Sequence, residues 1–426
     1  MLNFSPTTYR ISSCACSFDD DGTMLEDSCE SNALLRTDYK VRQLRLRDET
    51  GLYRYSDWLP VRRRLSGATS PTVWKSRRLA ETIGLNRLFI VFNGWFPNRG
   101  GQMTTCSFKE TEAYAVCSRF NVQDGRILVV ASAGNTARAF AKVCSDNHIP
   151  LLLSVPADNI GALWFDRPID KCVRLICTPS GSDYYDAIEL SGKVLASKRF
   201  IAEGGARNVA RRDGMATSFL AAAFAAGGIP DCYFQAVGSG TGAIAAWEAN
   251  LRLIGDGRFG STIARLMLSQ NAPFRPIYEA WQRREPNIAE VAAEQARGLA
   301  QQTEAKVLTN RRPPYGVKGG LFDALSAGGG EVYSVTNAEL RAAQQLFLSR
   351  EGIDIAPAAG VTVASLLQAA ERGDITPDQT IALNITGGGE QKFRNGRQIT
   401  YLKPSYIFGQ DADPKQVISR VEALYE

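Results

Sequence analysis

Short apolar runs alternate with amphipathic stretches along most of this chain, and few folds accommodate that rhythm. Residues 126–131 form a continuous apolar run, followed by a stretch over 136–144 whose apolar positions are Ala137, Phe140, Ala141 and Cys144. The first pattern predicts a strand buried on both faces, and the second a helix with one face against a core. Further strands are predicted at 151–155, 173–177, 233–237, 266–268, 332–335 and 381–385. Helices are predicted at 244–253, 338–348 and 361–370, with Thr336 and Glu339 spaced as a capping box for the second of them. Apolar strands separated by helices imply an α/β fold with mostly parallel sheet covered on both faces. The 426 residues suffice for two or three domains. Residues 1–50 are polar and irregular and read as an N-terminal appendage. The Pro- and Gly-rich stretches near 96–101, 156–161 and 312–320 read as loops, not linkers.

Composition removes several chemistries. There is one histidine, His148, so no two-histidine metal site can form, and any Ser-His-Asp arrangement would have to use a residue that sits in a predicted turn. A proton carrier, if one exists, is therefore expected among Lys, Asp, Glu or Tyr, or on a cofactor. A net charge of +5 without a basic stripe argues against nucleic acid as a partner, and Arg62–Arg64 reads as solvated surface. No apolar run approaches the roughly 20 residues of a membrane span, and nine scattered cysteines fit free thiols in a cytoplasmic protein. Cys14, Cys16 and Cys29 fall short of a regular four-ligand knuckle, so no metal is expected and at most a degenerate zinc-ribbon-like segment.

In open α/β sheets ligands sit beyond the carboxyl ends of strands, where loops meet helix N-termini. Three such junctions stand out. Gly238, Ser239, Gly240, Thr241 and Gly242 follow a predicted strand and open a helix; their amides can close around a phosphate, or the glycines can serve a tight turn. Ser132, Ala133, Gly134, Asn135 and Thr136 form a second junction, suited to a carboxylate or to simple helix capping. A third ends in Thr386 followed by Gly387, Gly388 and Gly389, where a neutral hydroxyl and a close backbone approach are available. Beside them, Ser107, Phe108 and Lys109 place a lysine in small and apolar surroundings near a helix start. An amine there can be held unprotonated and can form a Schiff base.

Taken in order, the segment around Lys109, the Ser132–Thr136 junction, the glycine loop at 238–242 and Thr386 resemble the tryptophan-synthase-β family of pyridoxal-phosphate enzymes, fold type II. Residues 203–212 and 308–315 extend the likeness to the threonine-synthase branch and, within it, to the cysteate synthases. The resemblance covers residues 35–389. It implies two open, twisted, mostly parallel α/β sheets with the active site between domains: a large cofactor-binding domain of residues 51–110 and 206–426, and a smaller mobile domain of residues 111–205. It implies that Lys109 binds pyridoxal 5'-phosphate and moves protons. Asn135 would face the ring hydroxyl, Gly238, Ser239, Gly240, Thr241 and Gly242 the cofactor phosphate, and Thr386 the pyridine nitrogen. Ser132, Ala133, Gly134 and Thr136 would hold the substrate carboxylate, and Asn208 and Arg211 the substrate phosphate. The implied reaction is β-replacement on O-phosphoserine by sulfite, giving cysteate and phosphate, in a homodimer. A phospho-lyase acting like threonine synthase, or a different nucleophile, is the alternative. A catalytically silent ligand sensor would not need Lys109, and dinucleotide binding lacks its glycine fingerprint.

Overall fold

The computed structural model describes residues 6–13, 15–22, 32–132 and 134–426. Cys14, Cys29 and Ala133 lie outside the described residues. Two sheets carry the fold. The larger has six strands in the spatial order Glu331–Val335, Arg265–Asn271, Cys232–Ala236, Thr380–Ile385, Arg87–Phe92 and Thr72–Lys75. All neighbours in it run parallel except the edge strand Thr72–Lys75, which pairs antiparallel with Arg87–Phe92. The smaller sheet orders Phe200–Ala202, Ile127–Ala131, Leu151–Pro156, Val173–Thr178 and Tyr406–Ile407, every pair parallel.

The strands predicted from apolar runs are present, with ends shifted by a few residues. Leu151–Pro156 and Thr380–Ile385 are buried at every position, as sheets covered on both faces require. The predicted helices are present as Asn135–Asp146, Thr241–Asp256, Asn337–Glu351 and Pro357–Glu371. The capping box closes as expected: Thr336 Oγ1 accepts from the Glu339 amide at 3.2 Å, and Glu339 Oε2 accepts from the Thr336 amide at 2.7 Å. His148 occupies a turn with φ of 52°, is largely exposed, and lies 3.5 Å from the Asp170 carboxylate.

One boundary differs from the sequence expectation. Residues 206–426 do not all stay with the large sheet. Tyr406 and Ile407 pair with Ile176 and Cys177 at the edge of the small sheet, and Val417 and Val421 of helix Pro414–Glu422 share its apolar cluster with Leu190 and Val194. A two-residue strand has no periodicity to read, yet it covers an edge that would otherwise be unpaired. The N-terminal segment forms a three-stranded antiparallel sheet, Ser17–Phe18, Tyr9–Ser12 and Arg36–Tyr39. Thr37 and Tyr39 anchor it by donating to Asp213 Oδ2, each at 2.6 Å. Among the described residues no cluster of three or more metal-ligating side chains occurs.

Candidate active site

Helix Lys109–Arg119 packs against both Val209–Ala226 and Asn135–Asp146, so it joins the elements of the two sheets. Its first residue is Lys109. The preceding loop is tied to the end of the central strand: the Phe108 amide donates to the Thr386 carbonyl at 2.9 Å, and the Gly388 amide to the Cys106 carbonyl at 3.2 Å. These bonds bring Lys109 and Thr386 to one chamber, which Ser132, Gly134, Asn135, Thr136 and the 238–242 loop also line.

The Lys109 amine is mostly buried and pairs with Glu112 Oε2 at 3.0 Å, one helical turn along. Glu112 has no exposed surface, and its other oxygen lies 2.7 Å from Arg211 Nη2. Arg211 Nη1 in turn donates to Glu203 Oε2 at 2.6 Å. Two cations and two carboxylates thus share one desolvated cluster. Burial pushes the Lys109 amine below the ordinary lysine range; Glu112 opposes that push and Arg211 reinforces it. Burial opposes the charge of Arg211 as well, but Glu112 and Glu203 outweigh it and hold the guanidinium firmly protonated. Burial raises the Glu203 carboxyl to about 7 against the pull of Arg211, with Glu112 adding repulsion. The two partners' shifts point opposite ways, and Glu203 is the group that yields: an arginine does not release its proton in this range, whereas a carboxyl crowded by a second carboxylate takes one up.

The other wall is a cradle of main chain. Ser239 Oγ and Thr241 Oγ1 lie 2.8 Å apart at the start of helix Thr241–Asp256. A Cβ on Gly238 would sit 3.0 Å from Leu308 Cα and one on Gly242 2.6 Å from Gln235 Nε2, so a side chain at either position would have to displace a neighbour where an anion would meet backbone amides. Across the chamber, Ser132 Oγ accepts from the amides of Gly134 and Ala137 at 3.0 and 3.1 Å, making it the side chain that closes the start of helix Asn135–Asp146. Asn135 Oδ1 accepts from Arg138 at 2.9 Å, which orients the side-chain amide.

The pattern of the pyridoxal-phosphate dependent enzyme family matches residues 72–387. The chain belongs to that family. Among curated relatives, the enzyme is 50% identical to a cysteate synthase of Methanosphaerula palustris over 84% of each chain, and 48% identical to one of Methanoculleus marisnigri over 88% of this chain and 87% of that one. A cysteate synthase of Methanocella paludicola is 44% identical over 93% of each. The solved structures of maize and Dictyostelium discoideum serine racemase share the fold, with TM-scores of 0.57 and 0.52 at 13% and 17% identity; each covers 75% of this chain, which spans 88% and 91% of theirs. The fold-type II architecture expected from sequence is therefore the one present.

Pyridoxal phosphate is the enzyme's cofactor, and the chamber suits it. A desolvated amine, a glycine cradle with two hydroxyls and the neutral hydroxyl of Thr386 line one space. Of the residues picked from sequence, Lys109, Ser132, Gly134, Asn135, Thr136, Gly238, Ser239, Gly240, Thr241, Gly242, Thr386 and Arg211 all line it. Asn208 does not. It is fully buried, caps helix Val209–Ala226 by accepting from the Ala210 amide at 3.0 Å, and donates to the Glu203 carbonyl at 2.7 Å. Sequence reasoning missed Glu112 and Glu203. Glu112 could have been found from its spacing, i+3 from the lysine on one helix face, and Glu203 from its place just beyond the end of strand Phe200–Ala202.

Proposed function

We propose that the enzyme catalyses β-replacement on O-phospho-L-serine by sulfite, releasing L-cysteate and phosphate. The observation that carries this reading is the Lys109 chamber, a desolvated amine facing a glycine cradle, in a chain that is nearly half identical to cysteate synthases. Bound pyridoxal phosphate supplies an electron sink for the bond broken at the substrate α-carbon. Lys109 Nζ would hold the cofactor, and its lowered basicity favours the uncharged amine needed to take the substrate α-proton and later return it. The amides and hydroxyls of Gly238, Ser239, Gly240, Thr241 and Gly242 bind the cofactor phosphate. Asn135 and Thr386 would hold the ring, Thr386 through an uncharged hydroxyl. The junction of Ser132, Gly134 and Thr136 would hold the substrate carboxylate, and Arg211 the substrate phosphate.

The part that would close the chamber against water is the small sheet with helix Asn135–Asp146, and it carries Tyr406–Ile407 and helix Pro414–Glu422 with it. The buried thiols of Cys106, Cys117, Cys144, Cys177 and Cys232 are free, which supports a reducing, cytoplasmic setting. A homodimer completes the reading and is checked by light scattering. The purified enzyme should absorb in the visible, Lys109→Ala should lose that band, and phosphate release should yield cysteate when sulfite is present. A panel of nucleophiles in which sulfide or another acceptor is strongly preferred overturns the sulfite assignment.

A further inference from the structure

Outside the Lys109 chamber, and sharing Tyr184, Arg211, Ser239, Thr241, Lys306 and the Thr309–Asn310 pair with it as a common wall, lies a second cavity of about 790 Å³. Its charged lining is lopsided: Arg207, Arg211, Arg297, Lys306, Arg311 and Arg312 against Asp158 and Asp183. Three of these cations are already compensated. Arg211 is held by Glu112 and Glu203, Arg297 by Asp183 and Asp186, and Arg311 by Asp183 at 2.8 Å. The other three are not. Among the described residues no carboxylate pairs with Arg312, whose guanidinium lies 5.3 Å over the ring of Tyr185, or with Lys306, which donates to main-chain carbonyls. Arg207 donates through Nη2 to Asn32 Oδ1, while its buried Nη1 has no hydrogen-bond partner among the described residues. A buried guanidinium N–H left without an acceptor is costly unless a ligand supplies one.

We propose that this vestibule is the docking site of the second, attacking anion, a small oxyanion of the sulfite type, held by Arg312, Arg207 and Lys306 on its way to the Lys109 chamber. The inference rests on the β-replacement reading and adds to it the place where the nucleophile is recognised. In the inner chamber the amine of Lys109 is committed to the cofactor and Arg211 is gripped by Glu112 and Glu203, which leaves Lys306, on the wall shared with the vestibule, as its one cation without a carboxylate partner among the described residues. An amino-acid substrate brings a carboxylate and an ammonium for the chamber to grip, whereas a free oxyanion offers only its charge and its acceptor oxygens. It needs uncompensated N–H donors: Arg207 and Arg312 lie in the vestibule alone, and Lys306 stands on the wall between it and the chamber. A cleft whose walls carry one sign of charge also raises the local concentration of the opposite sign, so the same cations draw the anion in.

The test is titration calorimetry of sulfite onto the cofactor-loaded enzyme without phosphoserine, in wild type, Arg312→Gln, Arg207→Gln and Arg312→Lys. Losing one charge-assisted donor set should weaken sulfite binding about tenfold in each glutamine variant, with most of the loss restored by Arg312→Lys. In turnover, the KM for sulfite should rise by a similar factor while the KM for phosphoserine stays put. Equal sulfite affinity across all four proteins overturns the proposal, as does absence of binding to wild type. A rise in the phosphoserine KM with sulfite binding unchanged also overturns it and assigns these cations to the first substrate's phosphate. If wild type forms no cysteate at all, the reaction reading falls, and the calorimetry alone still decides whether the vestibule holds an oxyanion.

Discussion

Glu203 gives the sharpest quantitative expectation. In the unfolded chain its carboxyl has an ordinary value of 4.5; in the folded protein burial and the nearby Glu112 raise it to about 7. A carboxyl whose folded value is raised binds its proton more tightly when folded. Its contribution is therefore complete below pH 4.5 and is lost as the pH climbs through 7. At about 1.4 kcal/mol per unit, the displacement corresponds to about 3 kcal/mol. Glu203→Gln keeps the shape and can still accept the Gly205 amide hydrogen bond, which Glu203 Oε2 receives at 3.1 Å, but it cannot ionise. Urea unfolding of cofactor-free protein at intervals from pH 4.5 to 8 should show wild type losing about 3 kcal/mol more than the variant across that window. Parallel stability curves would refute the raised carboxyl. A wild type that gains stability relative to the variant would mean that Arg211 dominates and that Glu203 is acidified instead.

Glu112→Gln removes the group that supports the Lys109 cation, so linkage of the cofactor, followed by its visible absorbance, should extend at least about one pH unit lower than in wild type. Gly242→Ala places a Cβ 2.6 Å from Gln235 Nε2 and should weaken cofactor retention about tenfold or more in equilibrium dialysis, with the far-ultraviolet spectrum unchanged. Arg212, which has no exposed surface, contacts Glu248 Oε2 at 3.1 Å; Arg212→Ala leaves that carboxylate buried with only Arg36 at 3.4 Å and should cost roughly 3–5 kcal/mol in urea unfolding.

Much of the site was legible because its parts are local. Each of the three junctions lies within a few residues of a strand end that periodicity locates, and Lys109 stands beside them in a short motif. The central strands were legible for the same reason: an all-apolar run such as Leu151–Pro156 has few alternatives. What escaped depends on distant partners. Strand Arg87–Phe92 carries a charge at its start, and Thr72–Lys75 is only partly buried; both are fixed by pairing with each other and with Thr380–Ile385. Helix Val209–Ala226 is nearly all apolar through its middle and shows no clean face, because it is covered by Lys109–Arg119, Thr241–Asp256 and the sheet. Asn208 reads as a ligand by analogy of position, but its role as a cap is settled by where the Val209 helix begins. The grip of Glu112 on Arg211 joins residues 99 positions apart and has no signature in a window of sequence.

The short strand Tyr406–Ile407 has a bearing on how the chain is made. Strands Ile127–Ala131, Leu151–Pro156 and Val173–Thr178 leave the ribosome long before it does, and so does the apolar surface over Leu190 and Val194 that Val417 and Val421 later cover. Throughout that interval the nascent small sheet carries an open edge beside uncovered hydrophobic residues, the combination that recruits chaperones or invites pairing with a neighbouring chain. Ribosome-bound nascent chains halted just before residue 406 are thus where misassembly should concentrate, and where a holdase would protect the yield of active enzyme.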